Sequence, residues 1–185
     1  MNRELIIRKP RLSVRAQTLA ALGAVAAAVL LPQLFHLLGA AAGLGSALGE
    51  ALLPMHLPVL LVGLLAGPYA GAAAGLLSPL VSFALTGMPR PALLPFMVLE
   101  LAVYGLCAGL LRKVRMPVVC KVLLAQLAGR ALRAGAILIA VYGFGSTALP
   151  VSVIWTSVTT GLLGLVLQWA LLPLMVYRVE NAGKK

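Results

Sequence analysis

Glu100, Arg130 and Arg133 lie inside long apolar stretches of a chain that has only four acidic residues. A guanidinium can pair bidentately with a carboxylate of the protein, or receive a carboxylate or carbonyl group of a ligand in the same way. In hydrocarbon such groups are costly, at about 2.5–3.5 kcal/mol for a charge at the bilayer centre on insertion scales. Charges kept there face a bundle interior, where they mark a substrate path or a structural ion pair. An ion pair locking two helices is one reading of these three residues. Their count supports another, because two arginines against one carboxylate leave a guanidinium in need of an acceptor, and an unpaired buried charge is expensive. On that reading Arg130 or Arg133 anchors an acidic or strongly hydrogen-bonding part of a ligand. Glu100 then orients the arginine or meets a ligand donor.

Arg130 and Arg133 stand at i, i+3 and share a helical face. Gln126, four residues before Arg130, extends that polar stripe. His56, in Pro54-Met55-His56-Leu57-Pro58, is a candidate to face a cavity, against the reading of a satisfied structural histidine. Trp155 is either an anchor at the membrane interface or a stacking platform for a ligand ring. Gln168 suits an interhelical hydrogen bond, and His36 an interfacial position.

The elements that must position these groups are membrane helices. The chain has 185 residues, 62% of them hydrophobic and 10% charged, with a mean hydropathy of +1.05. Soluble domains are roughly 45–50% apolar and about 25% charged. The period-two alternation of lipid-facing barrel strands does not occur. The expected fold is therefore an all-α integral membrane protein, a single bundle of six transmembrane helices in one domain over 1–185. The spans fall at about 14–38, 47–66, 68–86, 91–111, 118–142 and 151–177, each near the ~20 residues that a crossing requires. Pro54 and Pro58 interrupt the second span.

Charge sets the expected orientation. Arg3, Arg8, Lys9, Arg11 and Arg15 precede the first span. Arg112, Lys113, Arg115 and Lys121 flank the fourth-to-fifth connection, and Arg178, Lys184 and Lys185 follow the sixth span. These twelve lie on one side, whereas Arg90 stands alone on the other with Glu50. The positive-inside rule then places both termini in the cytoplasm, as an even number of spans requires. The net charge of +11 is thus topological and does not signal nucleic acid. Counting residues from the outer face puts Glu100 and Arg133 at a matching depth of about 13–14 Å, with Arg130 one turn deeper. They can meet if the fourth and fifth helices are neighbours.

Small residues form two ladders. Ala16, Ala20, Ala24 and Ala28 repeat at i, i+4 on the first helix, with Gly23 and Ala27 beside them. Gly63, Gly67, Gly71 and Gly75 repeat the spacing across the second-to-third connection. Such spacing permits close helix contact. Internal packing is the preferred reading for the glycines. For the alanines a partner-protein surface stands equal to packing.

No Gly-x-x-x-x-Gly-Lys-[Ser/Thr], His-Glu-x-x-His or Gly-x-Ser-x-Gly motif is present. The glutamates are scattered, and Cys107 and Cys120 have no metal spacing. An enzyme is not expected, nor a metal site. Without a P-loop or a spread of intramembrane acids, energy for any uptake has to come from another subunit.

The chain resembles the substrate-binding S components of energy-coupling factor (ECF) vitamin transporters. The resembling stretches are 54–61 (Pro-Met-His-Leu-Pro-Val-Leu-Leu), 85–89 (Leu-Thr-Gly-Met-Pro), 99–105 (Leu-Glu-Leu-Ala-Val-Tyr-Gly) and 127–130 (Leu-Ala-Gly-Arg), with the alanine ladder and the six-span layout added. Arg90 departs from the family by interrupting a Pro-Pro pair in the outer turn. The resemblance implies a six-helix bundle that binds a vitamin or vitamin precursor tightly in a pocket open to the outside. It implies that the strip of Ala16, Ala20, Ala24 and Ala28 docks on a transmembrane coupling subunit joined to two ATPases. The chain itself would need no cofactor, the ATP being used by those partners. The bundle would topple to deliver its cargo, in a prokaryotic cell membrane. The closest-looking members are those assigned to pantothenate, niacin, hydroxymethylpyrimidine or cobalamin lower-ligand precursors. The alternatives are a non-transporting membrane scaffold and a self-sufficient small-molecule transporter.

Overall fold

The computed structural model describes residues 12–182, so Arg3, Arg8, Lys9, Arg11, Lys184 and Lys185 lie outside the described residues. The described chain is all helical, with six helices long and apolar enough to cross a membrane. Helix α1 (Val14–Ala41) opens on Ser13, whose hydroxyl caps the backbone N–H of Ala16, satisfying one of the donors that a helix start leaves unpaired.

The second crossing is made of two pieces, α2 (Ala47–Leu52) and α3 (His56–Ala66). Leu53 ends α2 in the left-handed conformation, φ 49° and ψ 50°, which costs a non-glycine residue about 1–2 kcal/mol. Pro54 follows and cannot continue the helix. Pro58, expected to interrupt this span, instead lies in the first turn of α3, where a missing N–H removes no helical bond.

Helices α4 (Pro68–Thr86) and α5 (Leu94–Leu111) form the third and fourth crossings. α5 begins three residues later than Pro91, because residues 91–93 are a turn. Glu100 is therefore nearer the end of its helix than expected. Helix α6 (Val118–Leu138) runs on into a π-helical turn, Ile139–Gly143. The expected single helix over 151–177 is divided at Gly161 into α7 (Val153–Thr160) and α8 (Leu162–Ala182), and only α8 is long enough to span.

The glycine ladder is internal packing. A Cβ on Gly71 would collide with the backbone of Gly105, and one on Gly75 with the carbonyl of Leu101, so α4 and α5 touch backbone to backbone. The alanine strip is divided between two environments. Ala28 and Ala24 are buried in the core of the chain itself, at 0% and 8% exposure, while Ala16 and Ala20 are half-buried. The reason is geometric, since each i, i+4 step advances about 40° around a 3.6-residue helix, or about 120° over the whole strip. What begins on the flank of α1 ends facing α3 and α4. Gly23 is exposed, with nothing within 4 Å of where a Cβ would stand.

Candidate binding site

Glu100 and Tyr104 are one turn apart on α5 and share a face. The Tyr104 hydroxyl donates to Glu100 Oε1 at 3.0 Å, and Arg133 Nη1 donates to Glu100 Oε2 at 2.7 Å. The second arginine stands further off, with Arg130 Nε 4.0 Å from Glu100 Oε1. Its Nη1 reaches the Ser157 carbonyl of α7 at 3.4 Å. Gly129 makes the approach possible, because a Cβ there would strike the Tyr104 ring and stand 2.8 Å from the Glu100 carbonyl oxygen. The residue next to Arg130 thus sets the distance between α5 and α6.

Glu100 has no exposed surface, whereas Arg130 and Arg133 keep 16% and 15% of theirs. The Nε atoms of both arginines and Nδ1 of His56 are buried with no hydrogen-bond partner among the described residues. The His56 ring stands edge-on to Tyr104 with centroids 5.5 Å apart. One arginine is therefore tied to Glu100 by a short charge-assisted hydrogen bond and the other only by a longer ion pair, and each keeps an unpartnered Nε.

These groups line a cavity of about 420 Å³, within the range of about 300–1,000 Å³ usual for ligand pockets. Pro32, Gln33 and His36 of α1 line one side. The broken segment from Gly49 to His56 lines another. Ser82, Met97, Arg130, Arg133 and the α7 residues Val153, Thr156, Ser157 and Thr160 complete the wall. Glu50, Met88, Pro89 and Arg90 border it at the end of the bundle opposite the basic 112–115 connection. The expectation that the fourth and fifth crossings are neighbours holds in the geometry, and Glu100, Arg130, Arg133 and His56 come together.

Gln126 and Trp155 do not join them. Gln126 is buried below the cavity, where its Nε2 donates to Gln168 Oε1 at 2.9 Å and its Oε1 accepts from Trp169 Nε1 at 2.7 Å. Gln168 Nε2 in turn donates to the Leu53 carbonyl at 3.4 Å. The stripe from Arg133 to Gln126 is thus functionally divided: its upper part meets the cavity and its lower part ties α6 to α8 and to the break in the second crossing. Gln126→Leu strands the Trp169 N–H and the Gln168 carbonyl. The expected result is a loss of about 1–3 kcal/mol, read as a lower unfolding midpoint with a shifted Trp169 emission. Trp155, at 74% exposure, points away from the cavity wall, as an interface anchor would.

Thr156, Ser157 and Thr160 are wall residues that the sequence reading did not single out. Their signal was present, as the run Thr156-Ser157-Val158-Thr159-Thr160 is the densest hydroxyl cluster in an otherwise apolar stretch. Gly161 allows α7 to lie there, since a Cβ on it would come within 2.7 Å of Leu53 Cδ1.

A six-crossing helical membrane protein with a cavity at one end, lined by apolar and charged residues, is the class that fold and site define. The family model for the ECF transporter, substrate-specific component, matches residues 14–176, and the chain belongs to that family. It is accordingly a substrate-binding subunit of an ECF transporter, a multi-pass membrane protein of a transport system. No curated protein and no solved structure matches the chain.

Proposed function

We propose that this protein captures a vitamin or vitamin precursor from outside a prokaryotic cell and delivers it by toppling while docked on an ATP-driven coupling module. The observation that carries the reading is the 420 Å³ cavity with buried, partnerless arginine nitrogens in its wall. Orientation follows from charge. Arg112, Lys113 and Arg115 lie at the end of the bundle away from the cavity, so the positive-inside rule turns the cavity outward. Pantothenate, niacin, hydroxymethylpyrimidine and cobalamin lower-ligand precursors are the candidate cargoes. Within the site, Arg130 and Arg133 touch the ligand with His56. Glu100, which has no accessible surface, acts by holding Arg133.

This chain uses no cofactor in the proposal, and ATP is consumed by two partner ATPases. The coupling subunit meets α1 through Ala16 and Ala20, and through Gly23 on the neighbouring exposed face. Ala24 and Ala28 support that face from within the core. Gly23→Leu fills open space, so the isolated protein keeps or raises its unfolding midpoint. In pull-down with the coupling module it is expected to assemble about tenfold less well, on the order of 1.4 kcal/mol.

The decisive experiment is native mass spectrometry of the purified protein, followed by uptake in vesicles with and without the ATPase module. A co-purified vitamin and uptake only with the module support the reading. A protein that never retains a small molecule favours the scaffold alternative. Uptake without ATP or partners favours a self-sufficient transporter.

A further inference from the structure

Charge in the cavity wall is unbalanced in a way that specifies the cargo. Glu50 and Arg90 at the rim offset each other in sign, and three more ionised groups meet deeper in the wall: Glu100, Arg133 and Arg130. Each Glu100 oxygen already has one close donor, the Tyr104 hydroxyl on one and Arg133 on the other. Arg130 is left with a carbonyl at 3.4 Å and a carboxylate no nearer than 4.0 Å. The wall thus holds one surplus positive charge, and the partner that would balance it is one negative charge. A carboxylate neutralises it and matches the guanidinium fork. A phosphate ester carries about −1.5 to −2 at neutral pH and would leave net negative charge in hydrocarbon.

The rest of the wall restricts the body of the cargo. The ring systems that line it are the imidazoles of His36 and His56, and the broad surfaces are the thioethers of Met55, Met88 and Met97. Among the described residues no indole, phenol or phenyl ring lines it as a stacking face for an extended fused ring. His56 and the Ser82, Thr156, Ser157 and Thr160 side chains are neutral polar groups set among the apolar parts of the wall, and His56 Nδ1 has no partner among the described residues.

We infer that the cargo is a compact monocarboxylate whose single negative charge sits on Arg130, with an aliphatic or single-ring body among the methionines and a polar group at His56. This rests on the capture reading above and narrows it to a charge class. Among the candidate cargoes it favours the two carboxylates over the neutral pyrimidine and benzimidazole types.

The test is binding to the purified full chain in nanodiscs by titration calorimetry, with matched acid and neutral probes. Pantothenate is compared with pantothenol, and nicotinate with nicotinamide. Hydroxymethylpyrimidine and dimethylbenzimidazole complete the panel, alongside mass spectrometry of whatever co-purifies. The expected result is binding by a carboxylate and about 100-fold weaker binding by its neutral counterpart, in line with loss of a charge-assisted contact. Arg130→Gln is expected to abolish that discrimination. The same variant is expected to keep the unfolding midpoint of the ligand-free protein, because it removes a partly buried charge whose nearest carboxylate is 4.0 Å away, so lost binding cannot be ascribed to misfolding. Arg130→Lys retains the charge without the fork and is expected to fall between. Tight binding of a neutral or dianionic molecule, or unchanged carboxylate affinity in Arg130→Gln, overturns the inference and leaves capture standing. If no molecule co-purifies and none of the probes binds, both fail together.

Discussion

Glu100→Leu is expected to destabilise the protein by about 3–5 kcal/mol, the usual cost of breaking a buried ion pair from one side. The variant leaves Arg133 with no anion at 2.7 Å and the Tyr104 hydroxyl with no acceptor. It also places two guanidinium groups in one wall with nothing negative between them. Removing Arg133 as well changes the sign of the argument, since apolar replacement of a whole buried pair is often neutral. Glu100→Leu with Arg133→Leu is therefore expected to recover most of the loss, although Arg130 then stands alone. Denaturant or thermal unfolding in detergent measures both. A loss below about 1 kcal/mol for the single variant would mean that cavity water screens the arginines as it screens surface pairs. The ion pair would then not be what holds α5 to α6.

The second large effect is mechanical. A Cβ on Gly105 would overlap the Gly71 carbonyl group and stand 2.9 Å from the Gly71 Cα. Neither atom belongs to a flexible side chain, so α4 and α5 have to part. Gly105→Ala is expected to cost about 1–3 kcal/mol, as overpacking of a close contact does. Gly105→Leu is expected to prevent the bundle from closing. Because Glu100 is on α5, one and a half turns above Gly105, the displacement carries the carboxylate away from Arg133. Ligand binding should then fall with stability rather than independently of it. Gly135→Ala is the control: nothing lies within 4 Å of its Cβ, so the gain in helix propensity, about 0.8–1 kcal/mol, is unopposed. Equal behaviour of the Gly105 and Gly135 variants in thermal unfolding would refute backbone contact between α4 and α5.

Both effects show how far a linear reading reaches in a membrane protein. Glu100 and Arg133 could be paired before any coordinates because depth in a bilayer is a one-dimensional quantity, counted in residues from a span end. The glycine spacing could be assigned to packing for a similar reason, since small residues one turn apart let neighbouring helices approach closely. Rotation around the axis is what counting does not provide. The alanine strip of α1 turns by about 120° along its length, so Ala28 faces the core while Ala16 lies at its edge. Gln126 shares the stripe of Arg130 yet bonds Gln168 and Trp169 below the cavity. In α7 the hydropathy is as high as in a span, and the break at Gly161 has no proline to announce it.

From residue order alone came the membrane class, six crossings, the basic end of the bundle, the family resemblance and the three intramembrane charges. Each depends on composition or on distance along the chain, which hydrocarbon enforces strictly because backbone groups there have to bond within their own helix. Only the tertiary structure decided how closely each arginine approaches Glu100. Depth matched Arg133 to Glu100 and put Arg130 a turn deeper, but it left both within reach of the carboxylate and gave no distances. The approach of α5 at Gly129, and the placement of α7 across the wall, put Arg133 at 2.7 Å from Glu100 and Arg130 at 4.0 Å. That difference of little more than an ångström separates the arginine bonded to Glu100 from the one that makes only a longer ion pair, although both line the cavity.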